Sequence, residues 1–481
     1  MTTVFKKSVP GREGVWPAKP KKDVSEFIPA ELLRDSAGMP SLSELDVVRH
    51  FTRLSLKNYG VDGNFYPLGS CTMKYNPKFT EKAAALPGFA RLHPVMPQLK
   101  GAGRHCQGAL EVVYETEQLL SEITGMSGFT LQPMAGAHGE LTGAMLIAAY
   151  HKDKGNKKTK VICPDSAHGT NPASATIAGF EVISIESKDG IISPEALAEV
   201  LDDDVAALMM TCPNTLGLFE THLPEIVKML HEKDALLYYD GANLNAIMGK
   251  LRVGDAGFDV VHVNLHKTFA TPHGGGGPGS GPVGVSEKLL PYLPISRVKK
   301  LEDGSFYLDY NYPKSIGYIA PFYGSFGVFL KAYAYILRLG REGIVRASEN
   351  AVLNANYMRK KLEDYFEIPY NKLCMHEFVS SAAKQAENGV RALDIAKALL
   401  DKGYHAPTIY FPLIVKECMM IEPTETESKA TMDAFIDDLI EIAQIAETDP
   451  DALHAAPIYL PASRLDETAA ARNMELTDDI G

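Results

Sequence analysis

A mostly parallel α/β layer is the fold class this sequence predicts, on three observations. Strand-like and helix-like segments alternate between about residues 61 and 325, the pattern of a sheet whose crossovers are helices. Apolar β-branched residues dominate the short run Val260-Val261-His262-Val263, which reads as a buried strand. And 481 residues are enough for two or three domains with a sizeable core.

The elements follow in chain order. Pro10, Pro17, Pro20 and Pro29 break the start into an extended arm, and residues 41–51 read as a capped amphipathic helix. Residues 1–60 are therefore taken as an N-terminal arm and helix. The large domain, 61–325, is expected to hold helices at 110–123, 141–150, 194–201 and 223–232. Its strands are expected at 160–163, 181–185, 205–210 and 235–239. A long helical pattern over 326–366, interrupted near Gly340 to Gly343, could bridge two domains. Smaller-scale alternation follows, with helices at 392–402 and 429–445, and a polar tail over 451–481 expected to wrap the surface. Residues 326–481 thus read as a bridging helix, a small C-terminal domain and a tail.

Composition excludes several classes. The net charge is −12, from 48 Lys+Arg against 60 Asp+Glu, which argues against nucleic acid or an acidic membrane as the main partner. No apolar stretch approaches a bilayer span, and the N-terminus lacks a signal-peptide core. The cysteines (71, 106, 163, 212, 374 and 418) are scattered, with no Cys-x-x-Cys pair, as expected of reduced thiols. A cytoplasmic protein is expected.

Lys267 carries the chemistry. It follows the apolar run at 260–263, and glycines stand at 274–277. A lysine leaving an apolar strand sheds hydration, which lowers its pKa and frees the amine for Schiff-base chemistry. Asp240, 27 residues earlier, ends the apolar run 235–239. A lysine for an aldehyde and an aspartate for a pyridinium nitrogen are what pyridoxal phosphate demands of a protein. Gly136-Ala137-His138-Gly139-Glu140 precedes the helix pattern at 141–150; small residues there expose N–H groups to an anion such as a phosphate ester. Glu140 is an awkward neighbour for phosphate and could be a cap instead. His168 follows the strand at 160–163 and could stack on the cofactor ring, with His138 its rival. His262, His266 and His273 invite a metal, but the first two lie on a strand-like run, so their i, i+4 spacing does not set them on one helix face; no metal is expected.

Several motifs together resemble the second subunit of the two-subunit glycine decarboxylase, the P-protein family of the glycine cleavage system. They are residues 66–76 (Tyr66 to Asn76), 132–140, 168–174 and 264–269, the glycine run, and Arg464-Leu465-Asp466-Glu467 with Ala470-Ala471-Arg472. The resemblance runs along most of the chain. It implies a type I pyridoxal-phosphate fold, aspartate aminotransferase-like, with a smaller C-terminal α+β domain. It assigns Lys267 to the Schiff base, Asp240 to the ring nitrogen and His168 to the ring face. It implies further cofactor contacts from Gly136, Ala137, His138, Thr170, Thr215, Asn243 and His266, and a substrate end at Ser70, Cys71 and Thr72. The partners it implies are glycine, a lipoylated H-protein and a homologous first subunit, two copies of each subunit. On this reading glycine takes the place of Lys267 on the cofactor, loses carbon dioxide and passes its aminomethyl carbon to the lipoyl disulfide. The alternatives are another type I amino-acid decarboxylase, or a non-catalytic scaffold; the His266-Lys267 pair counts against the scaffold.

Overall fold

Strands β1 (Gly128–Thr130), β2 (Lys160–Pro164), β3 (Glu181–Ile185), β4 (Val205–Thr211), β5 (Leu236–Gly241), β6 (Val260–Val263) and β7 (Val283–Val285) form one sheet in the order β1-β7-β6-β5-β4-β2-β3. The computed structural model describes residues 2–15, 18, 21–35, 38–274 and 279–474. Strands β2 to β6 run parallel to one another, while β7 is antiparallel to β6 and β1 to β7. Parallel neighbours need crossovers: helices Thr170–Ile177, Pro194–Val200 and Leu223–Glu232 supply three of them, and a loop over 242–259 joins β5 to β6. Val205 to Met209, Leu236 to Tyr239, Val260, Val261 and Val263 are each 0% exposed, so the central strands are covered on both faces. That is why they read as apolar runs without alternation.

Predicted and observed segments differ at two instructive places. The strand predicted at 235–239 continues to Gly241, and Asp240 pairs in register with His262 inside the sheet. An aspartate reads as a strand breaker, but here its side chain has partners that a sequence does not display. The helix predicted from 141 begins at Gly136; two glycines mimic a turn, although nothing prevents them from taking helical geometry. The long helix Phe326–Leu362 is broken at Gly340, whose φ of 60° and ψ of −176° are not helical. Of the glycine run, Gly274 is described and residues 275–277 lie outside the described residues, as do Pro17, Pro20 and 475–481 of the tail.

Beyond the large sheet, β8 (Arg297–Lys300) and β9 (Phe306–Asp309) form an antiparallel pair. A second sheet, antiparallel, has β12 (Cys418–Ile421) between β10 (Phe378–Ser381) and β11 (Thr408–Ile409). Residues 68–72 run beside β12: Leu68 bridges Ile421, and Gly69 N–H donates to the Met420 carbonyl at 3.3 Å. Lys74 then turns inward. Its ammonium, fully buried, donates to Glu425 at 2.6 Å and to Asn245 Oδ1 at 3.0 Å. A buried cation with a carboxylate and an amide oxygen is satisfied; it pins the 66–76 segment to the loop after β5 and the loop after β12.

Gly217 shows how tightly the two sheets' connections meet. It sits at φ +75°, and a Cβ there would lie 2.0 Å from the Glu377 carbonyl oxygen. Both the left-handed backbone and the contact exclude a side chain. Gly217→Ala is expected to destabilise the chain by roughly 2–4 kcal/mol, from strain plus displaced backbone. Denaturant unfolding would check this; a loss below about 0.5 kcal/mol would contradict it.

The chain forms two compact units, Val61–Ala455 and Met1–Gly60 with Ala456–Gly481. All of the above belongs to the first. In the second, the helix Glu44–Ser55 is capped by Ser43, whose side chain accepts from Asp46 N–H. Three short 3-10 turns precede it, and a helix Glu467–Arg472 follows a cap at Asp466. Among the described residues no helix is long and apolar enough to cross a membrane.

Candidate active site

The carboxyl ends of β4, β5 and β6 open into one cavity of about 230 Å³, where open α/β sheets place their ligands. Thr211, Pro213 and Thr215 come from β4 and its loop, and Asp240, Ala242 and Asn243 from β5. Asn264, His266 and Lys267 follow β6, and Gly136, Ala137 and Glu140 open the helix after β1. His168 and Thr170 follow β2, and Ser70, His376 and Glu377 close the cavity from the small-sheet side.

Asp240 is built into the sheet and 3% exposed. One carboxylate oxygen accepts from Asn171 Nδ2 at 2.9 Å and Thr211 Oγ1 at 3.2 Å; the other accepts from Ala242 N–H at 3.1 Å. Burial works to raise its pKa, but His262 and these donors overcome that and hold the carboxyl below the ordinary carboxylate range. His262 lies behind it, its Nε2 3.4 Å from Asp240 and its Nδ1 2.6 Å from the Tyr238 hydroxyl. Burial pushes His262 down to about 4, so it is a neutral ring at pH 7. Nδ1 shares its hydrogen bond with the tyrosine hydroxyl, and Nε2 is left facing the aspartate with no hydrogen bond of its own.

Lys267 lies four residues past the end of β6, held by backbone bonds from its N–H to Asn264 and from Ala270 N–H to its carbonyl, both 3.1 Å. It is half-buried and lines the cavity. Among the described residues no acceptor or anion pairs with its ammonium.

The helix Gly136–Asp153 starts at Ala135 with no side-chain cap, so its first N–H groups point at the cavity that Gly136 and Ala137 line. A Cβ on Gly136 would come within 2.7 Å of Asn264 Nδ2, so only glycine leaves this end open. Glu140, one turn in, is not a cap: it accepts from Thr170 Oγ1 at 2.8 Å and Ser174 Oγ at 3.5 Å. Burial and then Asp240 push it up to about 7, which softens its conflict with an anion.

The two rival histidines part company. His168 lines the cavity, with Nδ1 2.7 Å from Thr170 Oγ1, and burial holds its pKa below the usual imidazole value. His138 is not among the lining residues; its Nδ1 accepts from Met134 N–H at 3.2 Å. Thr215 lines the cavity while its hydroxyl donates to the Ser166 carbonyl at 2.8 Å. Asn243 donates to Glu422 at 2.9 Å and also to Thr72 Oγ1. His266 accepts from Ser280 N–H at 3.3 Å, and His273 donates to the Cys71 carbonyl at 2.9 Å.

Of Ser70, Cys71 and Thr72, only Ser70 reaches the cavity wall. Its N–H donates to Glu377 at 2.7 Å; Thr72 N–H and Oγ1 both donate to Glu422, at 3.0 and 2.8 Å. Cys71 is half-buried, and burial raises its thiol pKa. Sequence reasoning missed Glu377, Glu422 and His376. The one available signal was His376-Glu377 standing directly before the apolar strand that starts at Phe378.

Known proteins resemble this chain over most of its length. A probable glycine dehydrogenase (decarboxylating) subunit 2 from Caldanaerobacter subterraneus subsp. tengcongensis is 58% identical, over 94% of this chain and 93% of its own length. The chain belongs to the glycine dehydrogenase (decarboxylating) subunit 2 family. Within it, residues 100–302 match the family described as Glycine cleavage system P-protein, and 347–456 match Glycine dehydrogenase, C-terminal domain. A solved glycine decarboxylase (P-protein) of the glycine cleavage system, in inhibitor-bound form, superposes with a TM-score of 0.72 at 19% identity, covering 87% of this chain and 94% of that one. An alanine–glyoxylate aminotransferase from Nostoc superposes with a TM-score of 0.57 at 17% identity, covering 81% and 98%. The fold of this subunit 2 chain is therefore the type I, aspartate aminotransferase-like fold that the family resemblance implies.

Proposed function

We propose that this chain decarboxylates glycine with pyridoxal 5'-phosphate and delivers the aminomethyl group to the lipoyl arm of an H-protein. It does so as the second subunit of an assembly with a homologous first subunit, two of each. The observation that carries the proposal is the meeting of Asp240 and Lys267 in one cavity, in a chain so similar to the subunit 2 relative.

The residues present fit the cofactor. The uncapped helix start at Gly136 suits a phosphate. Asn264 Oδ1 is buried without a hydrogen-bond partner and lines the same cavity. When bound, pyridoxal phosphate supplies an aldehyde that captures amines and a protonated ring that accepts an electron pair. Lys267 would hold that aldehyde, and Asp240 would keep the ring nitrogen protonated through a charge-assisted hydrogen bond. His168 would lie against the ring. Thr170, Thr215, Asn243 and His266 would fix its remaining edges. Ser70 marks the substrate end, where Cys71 and Thr72 support the wall from behind. Stabilising the negative charge that develops as carbon dioxide leaves is what would accelerate the step.

Exchange of labelled bicarbonate into the glycine carboxyl tests this, using the chain co-purified with its first subunit and pyridoxal phosphate. Exchange that requires lipoylated H-protein is expected. Carbon dioxide release that ignores H-protein would mark an ordinary decarboxylase instead, and a preparation that never develops visible absorption would refute the cofactor.

A further inference from the structure

Glu377 and Glu422 are a pair the chemistry above does not use. β10 and β12 are antiparallel with Phe378 opposite Ile421, so the residues just beyond that rung, Glu377 and Glu422, also stand opposite each other. Side by side, like charges on adjacent strands repel, and here both are buried, at 4% and 0% exposure. With the His376 ring they bring their polar atoms within 4.8 Å of one another. Glu422 is well served: Thr72 N–H, Thr72 Oγ1 and Asn243 Nδ2 all donate to it. Among the described residues Glu377 accepts only from Ser70 N–H, on Oε2. Its other oxygen has His376 Nε2 at 3.7 Å, and both nitrogens of that ring lack a hydrogen-bond partner.

Two buried carboxylates side by side hold a proton: among the described residues no lysine or arginine forms an ion pair with either, and Lys267 acts on them only across the cavity. The donors stabilise the anion on Glu422, which leaves the proton to Glu377, the member that lines the cavity. The cavity has a second peculiarity. Among its described lining residues no arginine occurs, and Lys267 is the one lysine.

We propose that Glu377, protonated, donates a hydrogen bond to the carboxylate of the bound amino acid, in place of a fixed cation. The inference rests on the glycine-decarboxylating reading of this cavity. A fixed cation would hold the ground-state carboxylate more strongly than the transition state, in which that charge is leaving, and so would slow the reaction. A neutral acid backed by the Glu422 anion orients the carboxylate while gripping it weakly. No covalent step is added: the proton stays on Glu377, carbon dioxide departs neutral, and the electron pair stays on the substrate carbon.

The groups facing Glu377 are Glu422 across the rung, His376 beside it, Cys374 three residues before it, Cys418 on β12, Ser70 and Cys71 on the neighbouring segment, and Lys267 across the cavity. Burial first, then Glu422, raises Glu377 to about 8; burial also raises Glu422, but Asn243 and Thr72 hold it lower, at about 7, while His376 is pushed down to about 3 and stays neutral.

The test is titration of the loaded two-subunit complex with glycine, followed by visible absorbance between about pH 6 and 9.5, with methylamine (the same amine without a carboxylate) as control. Above the Glu377 transition the wild-type glycine Kd should rise about tenfold per pH unit more steeply than that of methylamine. Glu377→Gln keeps a donor that cannot ionise. It should bind glycine within about threefold of wild type at pH 7 and lose the extra steepness. Glu377→Ala should weaken glycine about tenfold or more and leave methylamine unchanged. Equal effects on both ligands, extra steepness that survives in Glu377→Gln, or a stoichiometric metal ion that Glu377→Gln releases would each overturn the proposal. A wild-type complex that fails to take up the coenzyme sinks the functional reading too. A loaded complex indifferent to position 377 sinks this inference alone.

Discussion

Lys267→Ala is expected to abolish turnover, by roughly 10⁴-fold or more, which corresponds to about 5.5 kcal/mol of barrier. No other lysine lines the cavity among the described residues, so no neighbouring amine is placed to substitute. Lys74, fully buried, is already committed to Glu425 and Asn245. The variant should still fold, because among the described residues the ammonium of Lys267 has no hydrogen-bond or ion-pair partner to lose. It should still take up coenzyme through the helix start at Gly136 and through Asp240. Borohydride treatment followed by peptide mapping separates the cases: the wild type should carry the reduced label at position 267, and the variant none. A label elsewhere with activity retained would show that the wrong lysine has been assigned.

Asp240→Asn should have the next largest effect. The replacement keeps size and shape but removes the charge that holds the ring nitrogen's proton. A charge-assisted hydrogen bond at a buried site is worth about 1.5–3 kcal/mol, so the reaction should slow roughly 10- to 150-fold. The pH behaviour has a definite sign. Asp240 has its folded pKa depressed, so its contribution is present above its unfolded value and lost only as pH falls through the lower, folded one. Activity between pH 6 and 8 should therefore show no titration of this group, and the bound coenzyme's visible band should shift in the variant without becoming pH-dependent there. A variant with wild-type turnover would mean that the ring nitrogen takes its partner elsewhere.

How far the sequence revealed this can be argued residue by residue. Lys267 and Asp240 were legible because each ends an apolar run, and strand ends in a parallel sheet converge. The long helix and its break at Gly340 were legible because apolar periodicity and a glycine are local signals. The choice between His138 and His168 was not, since it depends on side-chain direction: His138 turns back onto Met134 N–H. The glutamate pair was invisible for another reason. Glu377 meets Ser70 across 307 residues and Glu422 meets Thr72 across 350, and pairing over such distances leaves no periodicity to read. Cys71 and Thr72 shared a motif with Ser70, yet a turn through positive φ at Ser70 and Thr72 sends only the first to the cavity.

The division of this cavity between two sheets has an evolutionary consequence. The groups that would set the coenzyme's electronic character, Asp240 with His262 and Tyr238, are cemented into the large sheet, where any change disturbs the whole core. Those that would choose the incoming molecule, Ser70, Glu377 and Glu422, hang from the small sheet and the segment beside it. Lineages descending from such a scaffold could retune which amino acid is accepted by altering the lesser sheet, and leave the electron sink untouched.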